Sequence, residues 1–251
     1  MASHSHDPHF RHAALFYGDE AGYVDGLVPF VRDGIETGEP VLVMVPGRKT
    51  EMLREALGSD AREVHFADMA EVGANPARII PAWRDFVTGH AQPGKRLRGI
   101  GEPIWADRTP DELVECQHHE ELLNVAFDGV APMDLLCPYD EQALAAAVVE
   151  EALRSHPIVV EDGRFRDCPA YEGVQAAAAP FAKPLPDAPA DAAALAFDVS
   201  SLDTVRGFVA LNAAEAGIGR SRRDDLVLAV NELASNSVRH GGGTGVVRAW
   251  A

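Results

Sequence analysis

Apolar runs of five to eight residues alternate with amphipathic stretches of 11 to 19 across residues 10–168. This alternation constrains the fold more than any other feature of the sequence. The runs "HAALFYG", "EPVLVMVP", "REVHFADM", "RLRGIGEPIW" and "PMDLLCPYD" each contain a strand. Between them, "EAGYVDGLVPFVRDGIETG", "RKTEMLREALG", "NPARIIPAWRDFVTGHAQ" and "TPDELVECQHHEELLNVAF" read as helices, and "EQALAAAVVEEALRSH" as a fifth after the last strand. The punctuation agrees with this division. Gly38 ends the first helix, Asn75 and Pro76 open the third, and Thr109, Pro110 and Glu112 form a capping box. Strands separated by helices of this length imply α/β architecture, with a mostly parallel sheet covered on both faces.

Residues 172–194 break the pattern. "EGVQAAAAPFAKPLPDAPADAAA" is dominated by alanine and proline. Pro180, Pro184, Pro186 and Pro189 disfavour a continuous helix. The expected organisation is a first domain at 10–168, a linker at 169–194 and a second piece at 195–251. The 251 residues allow one large or two modest domains.

The second piece centres on "LVLAVNELASNSVRHGGGTG", residues 226–245. Glu232, Asn236 and His240 are four apart and share a helix face. Leu226, Val227, Val230, Leu233 and Val238 lie off that stripe and are expected to be buried. The stripe is either the wet side of an amphipathic helix or part of a site. Gly241, Gly242 and Gly243 end the helix in a loop that a ligand could approach closely.

"ELASNSVRHG" resembles the N-box of the GHKL (Bergerat-type) ATPase fold, and more narrowly the anti-sigma-factor serine kinases of bacterial partner switching. The preceding strand, helix and loop from Phe197 fit the same group. The resemblance implies a partial α+β fold, with Asn236 as the ligand of the Mg²⁺ that bridges ATP phosphates and Glu232 as general base. His240 and Gly241 would lie against the cofactor. The family's D-x-G-x-G motif does not follow Gly245, so Mg-ATP is expected only in a longer protein of which this chain is a fragment.

A second resemblance covers His12 to Asp162. "HAALFY", "GEPIW", "ECQHHEELLN", "LCPYD" and "HPIVVEDG" resemble the MEDS sensory domain, named for methanogens, methylotrophs and a dichloromethane-responsive repressor. The resemblance implies a RecA-like fold used for sensing, and fusion to an anti-sigma ATPase is an actinobacterial arrangement. A RecA-like ATPase carries G-x-x-x-x-G-K-[ST] after its first strand. Here "YGDEAGYVDG" has no lysine, and Asp19, Glu20 and Asp25 oppose a phosphate. ATP binding of the usual kind is therefore not expected in this half.

In open α/β sheets ligands bind beyond the carboxyl ends of the strands. Tyr17, Glu102, Trp105, His119, Glu120 and Tyr139 are the expected pocket for an unknown small ligand. A metal site of Cys116, His119, Glu120 and Cys137 is an alternative, although C-x-x-H alone is a weak signal. The plain alternative is that His119 and Glu120 bond to neighbouring elements and Cys116 fills core. Acid–base chemistry by Glu102, Glu115, His119 and Glu120 is a third, with no nucleophile in view. His4, His6, His9 and His12 could scavenge a metal, although histidines at a chain start more often form a disordered tail, and Cys168 carries no arrangement that would lower its pKa.

Composition narrows the partners. A formal net charge of −17 repels nucleic acid, so direct nucleic-acid binding is not expected. A regulatory protein, such as a sigma factor or an anti-anti-sigma factor, fits better, and a homo-oligomer is a further expectation. No apolar run approaches the ~18 residues of a membrane span, and the start lacks a secretory pattern. Three scattered cysteines fit a reducing cytoplasm. The expected whole is a cytoplasmic signalling regulator. The alternative is a non-catalytic interaction module without a small ligand.

Overall fold

The computed structural model describes residues 10–178 and 187–250. The chain divides into two compact units, Met1–Lys183 and Pro184–Ala251. His4, His6 and His9 lie outside the described residues, as do Pro180, Pro184 and Pro186.

The first unit starts with β1 (Phe10–Tyr17), α1 (Glu20–Thr37), β2 (Val41–Val45) and α2 (Gly47–Leu57). It continues with β3 (Val64–Asp68), a single turn α3 (Met69–Val72), α4 (Ile79–His90) and β4 (Leu97–Gly101). Then come α5 (Pro110–Ala126), β5 (Met133–Asp140), α6 (Ala146–Ser155), β6 (Ile158–Glu161) and β7 (Arg164–Asp167). The seven strands form one sheet in the order β3-β2-β4-β5-β1-β6-β7. Every pairing is parallel except β6 with β7. The expected α/β fold with helices on both faces is what forms.

Local signals set the boundaries. The Asp19 side chain caps α1 by accepting from the Gly22 amide at 2.7 Å, and Gly38 ends that helix in the left-handed region at φ 67°. The Thr109–Glu112 capping box is present. Two expectations shift. Asn75 caps a short 3₁₀ turn, Pro76–Arg78, rather than α4 itself. The fifth helix begins only at Ala146, because the Asp140 side chain holds a turn by accepting from the Gln142 and Ala143 amides. The β6–β7 hairpin, absent from the expected strands, turns on Asp162 and Gly163, both with positive φ.

Period-two alternation along the central strands sorts side chains onto two cores. On one face Ala13, Leu15 and Tyr17 of β1 meet α1 and α2 through Tyr23, Leu27, Val31 and Leu53. On the other, Ala14, Met133, Leu135, Cys137 and Tyr139 meet α4, α5 and α6 through Trp83, Cys116, Leu123 and Val148. Trp83 packs closely against the sheet because β4 has glycine beneath it. A Cβ at Gly99 or Gly101 would stand 2.8 or 2.9 Å from its ring.

The stretch expected as linker stays on this unit at first. The Glu172 amide donates to the Arg154 carbonyl at 3.1 Å, and Ala177 is buried.

The second unit comprises β8 (Ala193–Asp198), α7 (Leu202–Glu215), α8 (Arg220–His240) and β9 (Thr244–Ala249), with β8 antiparallel to β9. Its core is Phe197, Val205, Val209 and Ala234. Val227, Val230 and Val238 pack against that core, whereas Leu226 and Leu233, both expected to be buried, are exposed. The seam 227/230/234/238 keeps the helical period, and Leu226 and Leu233 fall one position to its side.

Candidate functional site

The six residues expected to form one pocket are divided by the sheet. Tyr17 and Glu102 belong to the α1–α2 face; Trp105, His119, Glu120 and Tyr139 belong to the other. The cause is the alternation of the strands. Register pairs Phe16 with Tyr139 and Tyr17 with Asp140, so the two tyrosines point to opposite faces.

On the α1–α2 face, Glu102 follows β4 at the carboxyl end of the sheet and is buried. It accepts from Tyr17 Oη at 3.2 Å, from Tyr23 Oη at 3.3 Å and from the Lys49 ammonium. Lys49 stands in the first turn of α2 and also lies 5.0 Å from the Tyr23 ring centroid. Burial raises the Glu102 carboxyl to about 7, against the pull of Lys49 and the two phenols. Burial and the neighbouring Glu102 raise both phenols.

Above this group opens a crevice of about 390 Å³ bordered by Asp19, Glu20, Arg48, Met52, Asp140 and Gln142. Two details differ from expectation. The cation missing after β1 arrives from α2 as Lys49. Asp25 lines a separate groove with Phe30 and Arg98. Neither Lys49 nor Tyr23 was singled out from the sequence; "GRKT" directly after a buried strand was the available signal.

On the opposite face the expected metal set also regroups. Cys116 donates to the Pro103 carbonyl at 3.3 Å and stands apart, and burial lifts its thiol to about 11. His119 is buried with Nδ1 unpartnered among the described residues, and Glu115 is exposed. Glu120 and Cys137 instead meet His12 and His156, with all four ligand-type atoms within 4.8 Å of one another. His12 was grouped with the tail histidines, yet it lies fully buried inside β1. His156 opens "HPIVVEDG", where only the MEDS resemblance marks it. The clue to both is that a histidine inside or beside an apolar strand must find a buried partner.

His12 Nε2 lies 3.0 Å from Glu120 Oε2 and 3.3 Å from Cys137 Sγ. Burial and the adjacent His156 lower the His12 pKa to about 4. Burial alone would raise Glu120, but its contacts with His12 and His156 outweigh that and hold the carboxyl well below the usual carboxylate range. Burial pushes the Cys137 thiol up.

A family model described as the MEthanogen/methylotroph, DcmR Sensory domain, MEDS, matches residues 11–157, more than half of the chain. The chain belongs to the MEDS family. No curated protein matches it. Both clusters fall within the MEDS domain, with His12 near the start of the match and His156 near its end.

In the second unit, Glu232, Asn236, His240 and Gly241 are all exposed. Phe208, Leu226, Val230, Val247 and Trp250 line a neighbouring groove of about 380 Å³, to which that polar stripe contributes nothing. Among the described residues no helix is long and apolar enough to cross a membrane.

Proposed function

We propose that this chain is part of a signalling regulator in which the MEDS domain takes a small-molecule signal in the crevice above Glu102. One observation carries the proposal: a buried carboxyl near neutrality is held by two phenols and an ammonium directly beneath an open cavity. A ligand that draws Lys49 or Tyr17 towards itself leaves Glu102 short of partners in a dry site. The carboxyl then takes up a proton, so binding becomes a change of charge at the carboxyl end of the sheet.

A thermal-shift screen of small molecules against the wild-type chain and Lys49→Met tests it. Compounds that stabilise the wild type and not the variant support the crevice. Hits indifferent to Lys49 contradict it.

The output belongs to the second unit, as part of a GHKL-type, anti-sigma-factor kinase-like module acting in the cytoplasm on a sigma factor or an anti-anti-sigma factor. Asn236 would hold Mg²⁺ through ATP, Glu232 would act as general base, and His240 and Gly241 would border the nucleotide. Their exposure fits a site of which these residues form one side. Titration of these 251 residues with Mg-ATP should show no micromolar binding; such binding would overturn the half-site reading. The alternative of a pure interaction module draws on the exposed Leu226, Leu228, Leu233 and Trp250.

A further inference from the structure

The protonation of the buried cluster on the α5 face follows from its neighbours. His156 Nδ1 lies 2.7 Å from the Ala152 carbonyl oxygen. A carbonyl only accepts, so this nitrogen carries the proton. The Ser155 hydroxyl, 3.1 Å away, donates its own proton to the same carbonyl and leaves the tautomer unchanged. His12 is fixed in one more step. The Asn124 amide nitrogen donates to the Ser155 carbonyl at 2.7 Å, so its oxygen faces His12 and accepts from Nδ1 at 3.1 Å. When both rings are neutral, each Nε2 is a lone pair.

These lone pairs converge on one carboxylate oxygen. Glu120 Oε2 lies 3.0 Å from His12 Nε2 and 3.3 Å from His156 Nε2. Three acceptors thus face one another in a fully buried space. Cys137 offers one thiol proton, to His12 at 3.3 Å. His156 Nε2 and Glu120 Oε1 have no hydrogen-bond partner among the described residues. Such a set is repulsive unless a proton or a metal cation stands between the acceptors.

We propose that His12, Glu120, Cys137 and His156 form a binding site for a borderline divalent transition-metal ion, Zn²⁺ foremost. Two imidazoles, a thiolate and a carboxylate match its preferences, whereas Ca²⁺ and Mg²⁺ favour oxygen ligands alone. Tetrahedral bonds of about 2.0–2.3 Å place neighbouring ligand atoms about 3.3–3.7 Å apart. The contacts of 3.0 to 3.3 Å around His12 and Glu120 open slightly, and the widest pair of the four, within 4.8 Å, closes towards that range. On binding, Cys137 loses its thiol proton to solvent, and the thiolate and carboxylate together neutralise the dication. Asn124 and the Ala152 carbonyl hold the two rings in the ligating tautomer. The ion would tie β1, α5, β5 and the residue at the end of α6 together. This site does not depend on the crevice reading, because it lies on the other face and is tested by metal uptake alone.

The full chain, stripped with a chelator, is titrated with Co²⁺ and then with Zn²⁺. One equivalent of Co²⁺ should give the visible bands of tetrahedral cobalt and a near-ultraviolet thiolate-to-cobalt band, and Zn²⁺ should abolish both. Cys137→Ser should remove the thiolate band, and Cys168→Ser should leave it. Asn124→Ala should weaken Co²⁺ binding by about 10- to 100-fold. A wild-type chain that stays folded by circular dichroism and takes up no Co²⁺ overturns the proposal without recourse to any variant. So does a thiolate band that survives Cys137→Ser.

Discussion

Helices α5 and α8 carry the same kind of stripe and use it in opposite ways. In α5, Cys116, Glu120 and Asn124 are spaced four apart, and all three are buried. In α8, Glu232, Asn236 and His240 have the same spacing, and all three are exposed. Five of the 17 residues of α5 are buried, against one, Ala234, of the 21 in α8. Spacing defines a face but not what covers it. A sheet covers α5, so its polar face must be satisfied from elsewhere in the fold: His12, Cys137 and His156 gather at Glu120, and the Pro103 carbonyl accepts from Cys116. The covered face of α8 is the apolar seam, and the polar stripe meets water.

The largest effects belong on the covered side. Trp83 lies against Gly99 and Gly101 with almost no exposed surface. Trp83→Ala should cost about 3 to 5 kcal/mol, because the glycines below cannot fill the space. Urea unfolding followed on the MEDS domain measures it. A loss below ~1 kcal/mol would mean that the sheet is loosely packed there, and the contrast with α8 would fail.

Glu102 adds a pH dependence. Its carboxyl ordinarily titrates near 4.5 and here near 7. Between those values the folded chain holds a proton that the unfolded chain has released. Stability therefore falls as pH rises from 4.5 to 7 and levels off above, by about 3 kcal/mol in total. In the metal-free chain His12 runs the other way. It titrates near 4 when folded and 6.5 when unfolded, so stability is lost as pH falls through that window. The two slopes oppose one another in the wild type, and the comparison with Glu102→Gln separates them. Relative to the wild type, the variant should gain about 3 kcal/mol on going from pH 4 to pH 8. An unchanged difference would place Glu102 among ordinary carboxylates and weaken the crevice reading.

The capping box of α5 is worth less. Thr109 accepts from the Glu112 amide at 3.3 Å, and the Glu112 carboxylate accepts from the Thr109 amide at 2.9 Å. Thr109→Ala should cost about 1 kcal/mol, read as a shift in urea midpoint. Because α5 carries Glu120, the same variant should also loosen Co²⁺ binding if the helix start frays. Identical cobalt affinity in Thr109→Ala would confine the cap to stability.

Local chemistry was legible in the sequence and convergence was not. Helix starts at Asp19 and Thr109 and the strand cores of β1, β2 and β5 follow from residues within a few positions of each other. Glu102 and Glu120 also announced themselves as charges beside apolar runs. Their partners come from far along the chain: Lys49 is 53 residues from Glu102, and His12 is 108 from Glu120. The order β5-β1-β6 brings His12, Cys137 and His156 together, and that order cannot be read from spacing. The division of Tyr17 from Tyr139 was within reach, because adjacent register positions on neighbouring strands must face opposite ways once the pairing is known.

The smallest effect tests the exposed side. Leu233 lies on α8 between the polar stripe and the apolar seam, with two thirds of its surface in water at 67%. A side chain this open contributes little packing, and its replacement at a helical surface position changes mainly propensity. Leu233→Gln, which keeps a straight-chain helix former, should alter the stability of this chain by less than ~0.5 kcal/mol. Hydrogen exchange adds the local view: α8 amides should exchange well before those of α5, whose buried face opens only with the sheet. A loss above ~1 kcal/mol in Leu233→Gln, or α8 amides protected as strongly as α5, would show that something covers this face in solution. Dilution then separates the sources, since protection supplied by a second copy of the chain falls with concentration and protection from within one chain does not.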